Sequence, residues 1–127
     1  MQAPRGLEQR QHPRFGVGLS VTLLFGPSKH PVAGELQDIS GGGCYFRSRV
    51  EVDIDRRIMV VLTDNSGTVF RATGRVVRTE AYQGFAVLFD DAGTRGVAGL
   101  VEGFADLGPE ERMARLSTSL RPEIQVL

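Results

Sequence analysis

The chain has 127 residues, 41% of them hydrophobic and 24% charged, which is one domain's worth of sequence with enough apolar mass to bury about two-thirds of its unfolded surface. Its 15 Lys and Arg balance 15 Asp and Glu, which excludes a global field for nucleic acid or an anionic membrane and leaves anion recognition to a local cluster. The single cysteine excludes an internal disulfide, and Cys44 with His12 and His30 makes no zinc set, so a reducing cytoplasm and no metal are expected. No apolar run has the length of a signal peptide or of a membrane span, so neither export nor a span is expected.

Residues 1–14 read as a polar, flexible arm. Beyond it Val17, Leu19, Val21 and Leu23 alternate with Gly18, Ser20 and Thr22, the period of a half-buried strand ending near Phe25, and Gly26-Pro27-Ser28 turns the chain. Residues 32–40 carry a second strand, with Val32, Gly34, Leu36 and Asp38 on one face and Ala33, Glu35, Gln37 and Ile39 on the other. After Gly41, Gly42 and Gly43, a short strand begins at Cys44-Tyr45-Phe46. An apolar strand over 58–63 ends at the turn Asp64-Asn65-Ser66-Gly67, and strands over 68–79 and 85–89 follow.

About six short strands with no helix between them predict a mainly β, antiparallel barrel or sandwich rather than a parallel nucleotide-binding sheet. The period changes after Asp91. Val97, Leu100, Val101 and Phe104 fall at helical spacing, and Pro109-Glu110-Glu111 opens a second helix reaching Met113 and Leu116. One or two helices therefore close a single domain over 15–121, with 122–127 as a tail; the 97–104 segment either caps the barrel or pairs subunits.

Two constellations carry chemistry. Arg10 and Arg14 lie four apart before the first strand, with Arg5 upstream, and arginine's planar fork suits phosphate oxygens or the O6/N7 edge of guanine. Pro13 disfavours a helix here and places both on an extended arm or turn. The second is Asp38-Ile39-Ser40-Gly41-Gly42-Gly43, where a carboxylate can accept guanine N1 and N2 hydrogens, a hydroxyl can donate, and glycines leave backbone amides unobstructed. Taken singly, the first is equally a solvated basic terminus and the second an ordinary polar turn.

An enzyme fits poorly. A trypsin-like nucleophile segment needs Asp directly before Ser, where Ile39 intervenes, and Ser40 has no Gly-x-Ser-x-Gly elbow. His12 and His30 lack an orienting partner and read as surface residues, while Cys44 reads as a packed small hydrophobe. Walker and dinucleotide fingerprints are absent.

Together, Arg10-x-x-x-Arg14 and Asp38-x-Ser40-x-x-Gly43 resemble, in order and spacing, the two signature motifs of the PilZ domain family. Residues 72–78, Ala-Thr-Gly-Arg-Val-Val-Arg, and 84–89, Gly-Phe-Ala-Val-Leu-Phe, are similar to the last two strands of such domains, with Ala86 where glycine is usual. The resemblance covers about residues 8–105. It implies a six-stranded antiparallel barrel that binds the bacterial second messenger cyclic di-GMP, with no catalytic activity and no other cofactor.

Carried over by residue, Arg10 and Arg14 would clasp guanine edges and phosphates, while Asp38, Ser40 and Gly43 surround a guanine. Arg5, Gln9, Gly41 and Gly42 are possible additions. Gln9 stands where members that take up two intercalated nucleotides often carry a basic residue, so one or two ligands per chain stay open. The expected role is a cytoplasmic stand-alone receptor, monomer or homodimer, passing the signal to a protein partner. The alternative is a nucleotide-independent adaptor, for example in type IV pilus or motility control.

Overall fold

The computed structural model describes residues 12–116 and 121–127. Strands β1 (Phe15–Phe25), β2 (His30–Ile39), β3 (Gly43–Arg47), β4 (Arg57–Thr63), β5 (Val69–Glu80) and β6 (Gly84–Phe89) precede helices α1 (Asp91–Phe104) and α2 (Pro109–Leu116), and β7 (Glu123–Val126) ends the chain. They form a closed barrel in the order β1-β2-β3-β6-β5-β4-β7. The six strands expected from the sequence are present, and the barrel has a seventh.

That seventh strand corrects the reading of 122–127 as a tail. β7 pairs parallel to β1 and antiparallel to β4, bridging two strands that would otherwise expose open edges. Ile124 and Val126 are buried while Glu123 and Gln125 point outward or lie half-buried. Thr22 N donates to Pro122 O at 2.9 Å and Leu127 N to Arg57 O at 2.8 Å. Four alternating residues carry too little pattern to be told from a tail; the strand exists because partners wait on both sides.

Inside the barrel, alternation puts Val21, Leu23, Leu36, Ile39, Phe46, Leu62, Val76 and Phe85 out of solvent. Phe46 and Phe85 are Cα partners on adjacent strands, their ring centroids 5.5 Å apart. The predicted faces of β2 need correction. Leu36 and Ile39 are both buried, because the ladder to β3 shifts register between Leu36 and Asp38. One extra residue on β2 lets Gln37 and Asp38 both leave the core face before Ile39 returns to it.

Helix α1 begins at Asp91, well before the predicted apolar stripe. Asp90 caps it by accepting from Gly93 N at 2.7 Å and from Thr73 Oγ1 at 2.6 Å, two bonds that hold its carboxyl below the usual range, the threonine contact contributing most. A side chain on Gly93 or Gly96 would run into the Thr73 and Arg71 carbonyls, so the glycines let α1 lie directly on β5. Val97, Leu100 and Phe104 are buried beneath it, and this helix face covers the barrel.

Candidate ligand-binding site

The site crosses the outer face of β2, β3, β6 and β5. Ladder pairing lines up Asp38 with Tyr45, Tyr45 with Ala86, and Ala86 with Arg78, one lateral row over four strands. Both ends of the row depend on a bulge. On β5 the register shifts between Val76 and Arg78, so Val77 and Arg78 both face out while Val76 stays in the core. Without the extra residue, strict alternation would turn Arg78 inward.

Within the row, Tyr45 Oη donates to Glu80 Oε1 at 2.6 Å, and the Arg78 guanidinium lies 6.0 Å from the Tyr45 ring centroid. Burial and the bond to Glu80 push the Tyr45 phenol up to about 12, so its hydroxyl keeps its proton across the neutral range. The ring is thus held by the Glu80 carboxylate at its hydroxyl and the Arg78 guanidinium near its face, with the small Ala86 beside it.

The loop between β2 and β3 is shaped by Ser40. Its backbone N donates to Gly43 O at 2.8 Å, its Oγ donates to the same carbonyl at 3.3 Å, and Gly42 N and Gly43 N each donate to Oγ at 3.1 Å. This revises one expectation: the Gly42 and Gly43 amides, which the sequence offers to an anion, are spent on Ser40, and that hydroxyl is turned into its own loop. Gly43 is a glycine because a Cβ there would meet the Val87 carbonyl of β6. Cys44 follows, buried, its thiol pushed up by burial and next by the Asp38 charge, as fits a packed small hydrophobe.

The chain leading into β1 supplies the remaining wall. His12, Pro13 and Arg14 are exposed, with the His12 ring against Gly41 and Gly42. The next residue is held firmly: the Phe15 ring packs edge-on to Phe104 of α1 at 6.0 Å and under the Arg112 guanidinium of α2 at 5.0 Å. Arg112 also donates to Gly16 O at 3.2 Å. Arg14 therefore projects from an anchored base. Arg5, Gln9 and Arg10 lie outside the described residues.

Two adjoining cavities result. A groove of about 1060 Å³ runs past Glu35, Arg47, Arg49, Glu80 and Tyr82, and a cleft of about 380 Å³ runs past His12, Ser40, Gly42, Gly43 and Leu88. Arg14, Asp38, Tyr45 and Arg78 line both. Of the residues singled out from the sequence, Arg14, Asp38, Ser40, Gly42 and Gly43 thus come together, while Gly41 is buried beside them and His30 lines neither cavity.

Tyr45, Arg78 and Glu80 were not singled out. A signal for Arg78 was present: Val76 and Val77 are consecutive apolar residues in an otherwise alternating strand, which is how a bulge looks in sequence. Among the described residues, no cluster of His, Cys, Asp and Glu could hold a metal ion, and no helix is long and apolar enough to cross a membrane.

Comparison with known proteins agrees with this geometry. No curated protein matches the chain. The family model of the PilZ domain matches residues 8–102, a span that includes both arginines, the Asp38 loop, every strand of the row and most of α1. With that span covering most of the sequence, the chain belongs to the PilZ domain family.

Proposed function

We propose that this protein is a receptor for cyclic di-GMP that binds the nucleotide on the outer row without breaking any bond in it. The observation that carries the reading is the shared wall of the two cavities, where Arg14 and Arg78 flank Asp38 and the Tyr45 ring. The ligand is a dianion with two guanine bases. Planar cationic donors match its phosphates and O6/N7 edges, and a carboxylate accepts the N1 and N2 hydrogens that only guanine among the purine bases of nucleic acids carries together. Arg10 completes the arginine pair from the preceding segment. Binding draws that segment onto the sheet and alters a surface that a protein partner reads.

Calorimetric titration with cyclic di-GMP and cyclic di-AMP tests this. Cyclic di-GMP is expected to saturate the protein and cyclic di-AMP to bind far more weakly, because each unpaired polar group costs about 1–3 kcal/mol, roughly 5- to 150-fold in affinity. Equal affinities would overturn the base-reading role of Asp38. No binding of either would leave the nucleotide-independent adaptor in its place. Amide exchange tests the signalling step: residues 1–14 should gain protection only with cyclic di-GMP.

A further inference from the structure

We infer that His12 is a positioning residue for the nucleotide: its imidazole is the latch that seats the arginine-bearing segment on the β2–β3 loop, and Gly41 and Gly42 are glycines because that ring occupies their side-chain space. The inference rests on the receptor reading above and adds to it a residue in neither signature motif.

The contact is specific in its atoms. A methyl group built on Gly41 would stand 2.7 Å from His12 Nδ1 and 3.3 Å from Cγ and Cε1; one built on Gly42 would stand 3.0 Å from Cδ2 and 3.8 Å from Cγ and Nε2. Opposite sides of one ring thus cover two successive glycines. The first of those methyl positions is closer than real Cβ contacts come, so residue 41 admits a side chain only if the ring shifts. Neither glycine has a backbone conformation that demands glycine, since Gly18, Gly26 and Gly67 are the glycines with positive φ among the described residues. Space for the ring is the reason the local packing supplies, most sharply at Gly41.

The loop that receives the ring is stiff. Three hydrogen bonds to and from Ser40 Oγ and the Ser40 N to Gly43 O bond fix its path, and Gly41 is buried although it lies in a turn. The chain after the ring is stiff as well. Pro13 locks its own φ and holds His12 extended, so the ring and Arg14 are joined by one restricted residue, and Phe15 is clamped between α1 and α2. Seating the ring therefore fixes where Arg14 projects. In sequence His12 is also the middle residue of the arginine pair. A ligand contact made by a pre-seated arginine loses less conformational entropy than one made from a free chain.

The test reads the latch and the binding separately. The chain has 2 histidines, and the exposed His30 serves as internal reference for imidazole resonances in nucleotide-free protein. Gly41→Ala should shift the His12 signals and leave those of His30 in place. In titrations with cyclic di-GMP, Gly41→Ala and His12→Ala should each weaken binding about tenfold, and the double variant should be no weaker than about twofold below His12→Ala alone. Gly99→Ala, on the exposed side of α1, controls for the substitution itself and should leave affinity unchanged.

Unshifted His12 resonances in folded Gly41→Ala would overturn the latch. So would parent-like affinity in His12→Ala, which leaves the loop intact and serves if Gly41→Ala does not fold. Fully additive losses would make the glycine a loop-strain position unconnected to the ring. A parent protein that shows the ring contact but binds no cyclic di-GMP would instead sink the receptor reading, and the positioning role with it.

Discussion

The two halves of the site are held by different physics. On the sheet side, Asp38, Tyr45, Ala86 and Arg78 are fixed by strand register, and their inward neighbours, Ile39, Cys44, Phe46, Phe85 and Val87, are core residues. On the arm side, His12 and Arg14 are exposed and seated by one ring on two glycines and by the anchored Phe15. The backbone positions of the row cannot be altered without disturbing the barrel, whereas the arm's contacts can be lost while the barrel stays whole. In the proposed receptor the sheet would serve as the fixed platform and the arm as the part whose contacts respond to ligand.

The strongest way to break the comparison is through the core under the row. Phe46→Ala removes a fully buried ring packed against Phe85 and should cost about 3–5 kcal/mol of stability, read from urea unfolding, with ligand binding lost only to the extent that protein unfolds. If binding fails while the barrel remains folded, the row depends on more than register.

Arg14→Ala is the opposite case. Loss of charge-assisted bonds should weaken cyclic di-GMP binding by about 1.5–3 kcal/mol, roughly one to two orders of magnitude, while the thermal midpoint of the free protein stays near that of the parent. A folded variant that binds as tightly as the parent would remove Arg14 from the site.

Arg78→Ala sharpens the contrast, because Arg78 is an exposed cation on the rigid side. Its loss should cost about 1 kcal/mol of binding, roughly fivefold, by titration. An effect as large as that of Arg14 would move the centre of recognition from the arm to the sheet.

The smallest effect is a titration. A Tyr82→Phe protein keeps Tyr45 as its one tyrosine, and phenolate absorbance should then rise near pH 12 rather than near 10. Because folding raises this pKa, the contribution to stability is complete below about pH 10 and is lost as pH climbs through the folded value near 12. Glu80→Gln should bring the absorbance midpoint down. An unchanged midpoint would mean that burial alone sustains the shift.

Much of this was legible before any coordinates. Period-two alternation in β1 and β4, the turn residues between strands and the helical spacing of Val97, Leu100 and Phe104 follow from side-chain geometry within one element, so local sequence determined the strand-rich class, the core faces of those elements and the order of strands and helices. The two motifs likewise marked Arg14, Asp38 and the Ser40 loop, because fork donors, a carboxylate and glycines are chemical facts of the residues themselves.

What the tertiary structure alone decided are relations between elements. β7 is a strand only because β1 and β4 each leave an edge for it, and four residues hold no such information. Arg78 and Asp38 share a row because bulges on two strands, far apart in sequence, shift in register against their neighbours. The Ser40 hydroxyl is turned into its own loop because the chain path brings the Gly42 and Gly43 amides and the Gly43 carbonyl around it. Gly41 and Gly43 look alike in sequence, yet one makes room for the ring of His12 and the other for the carbonyl of Val87. A residue's chemistry is carried by its type, but what it meets is set by the chain that folds beside it.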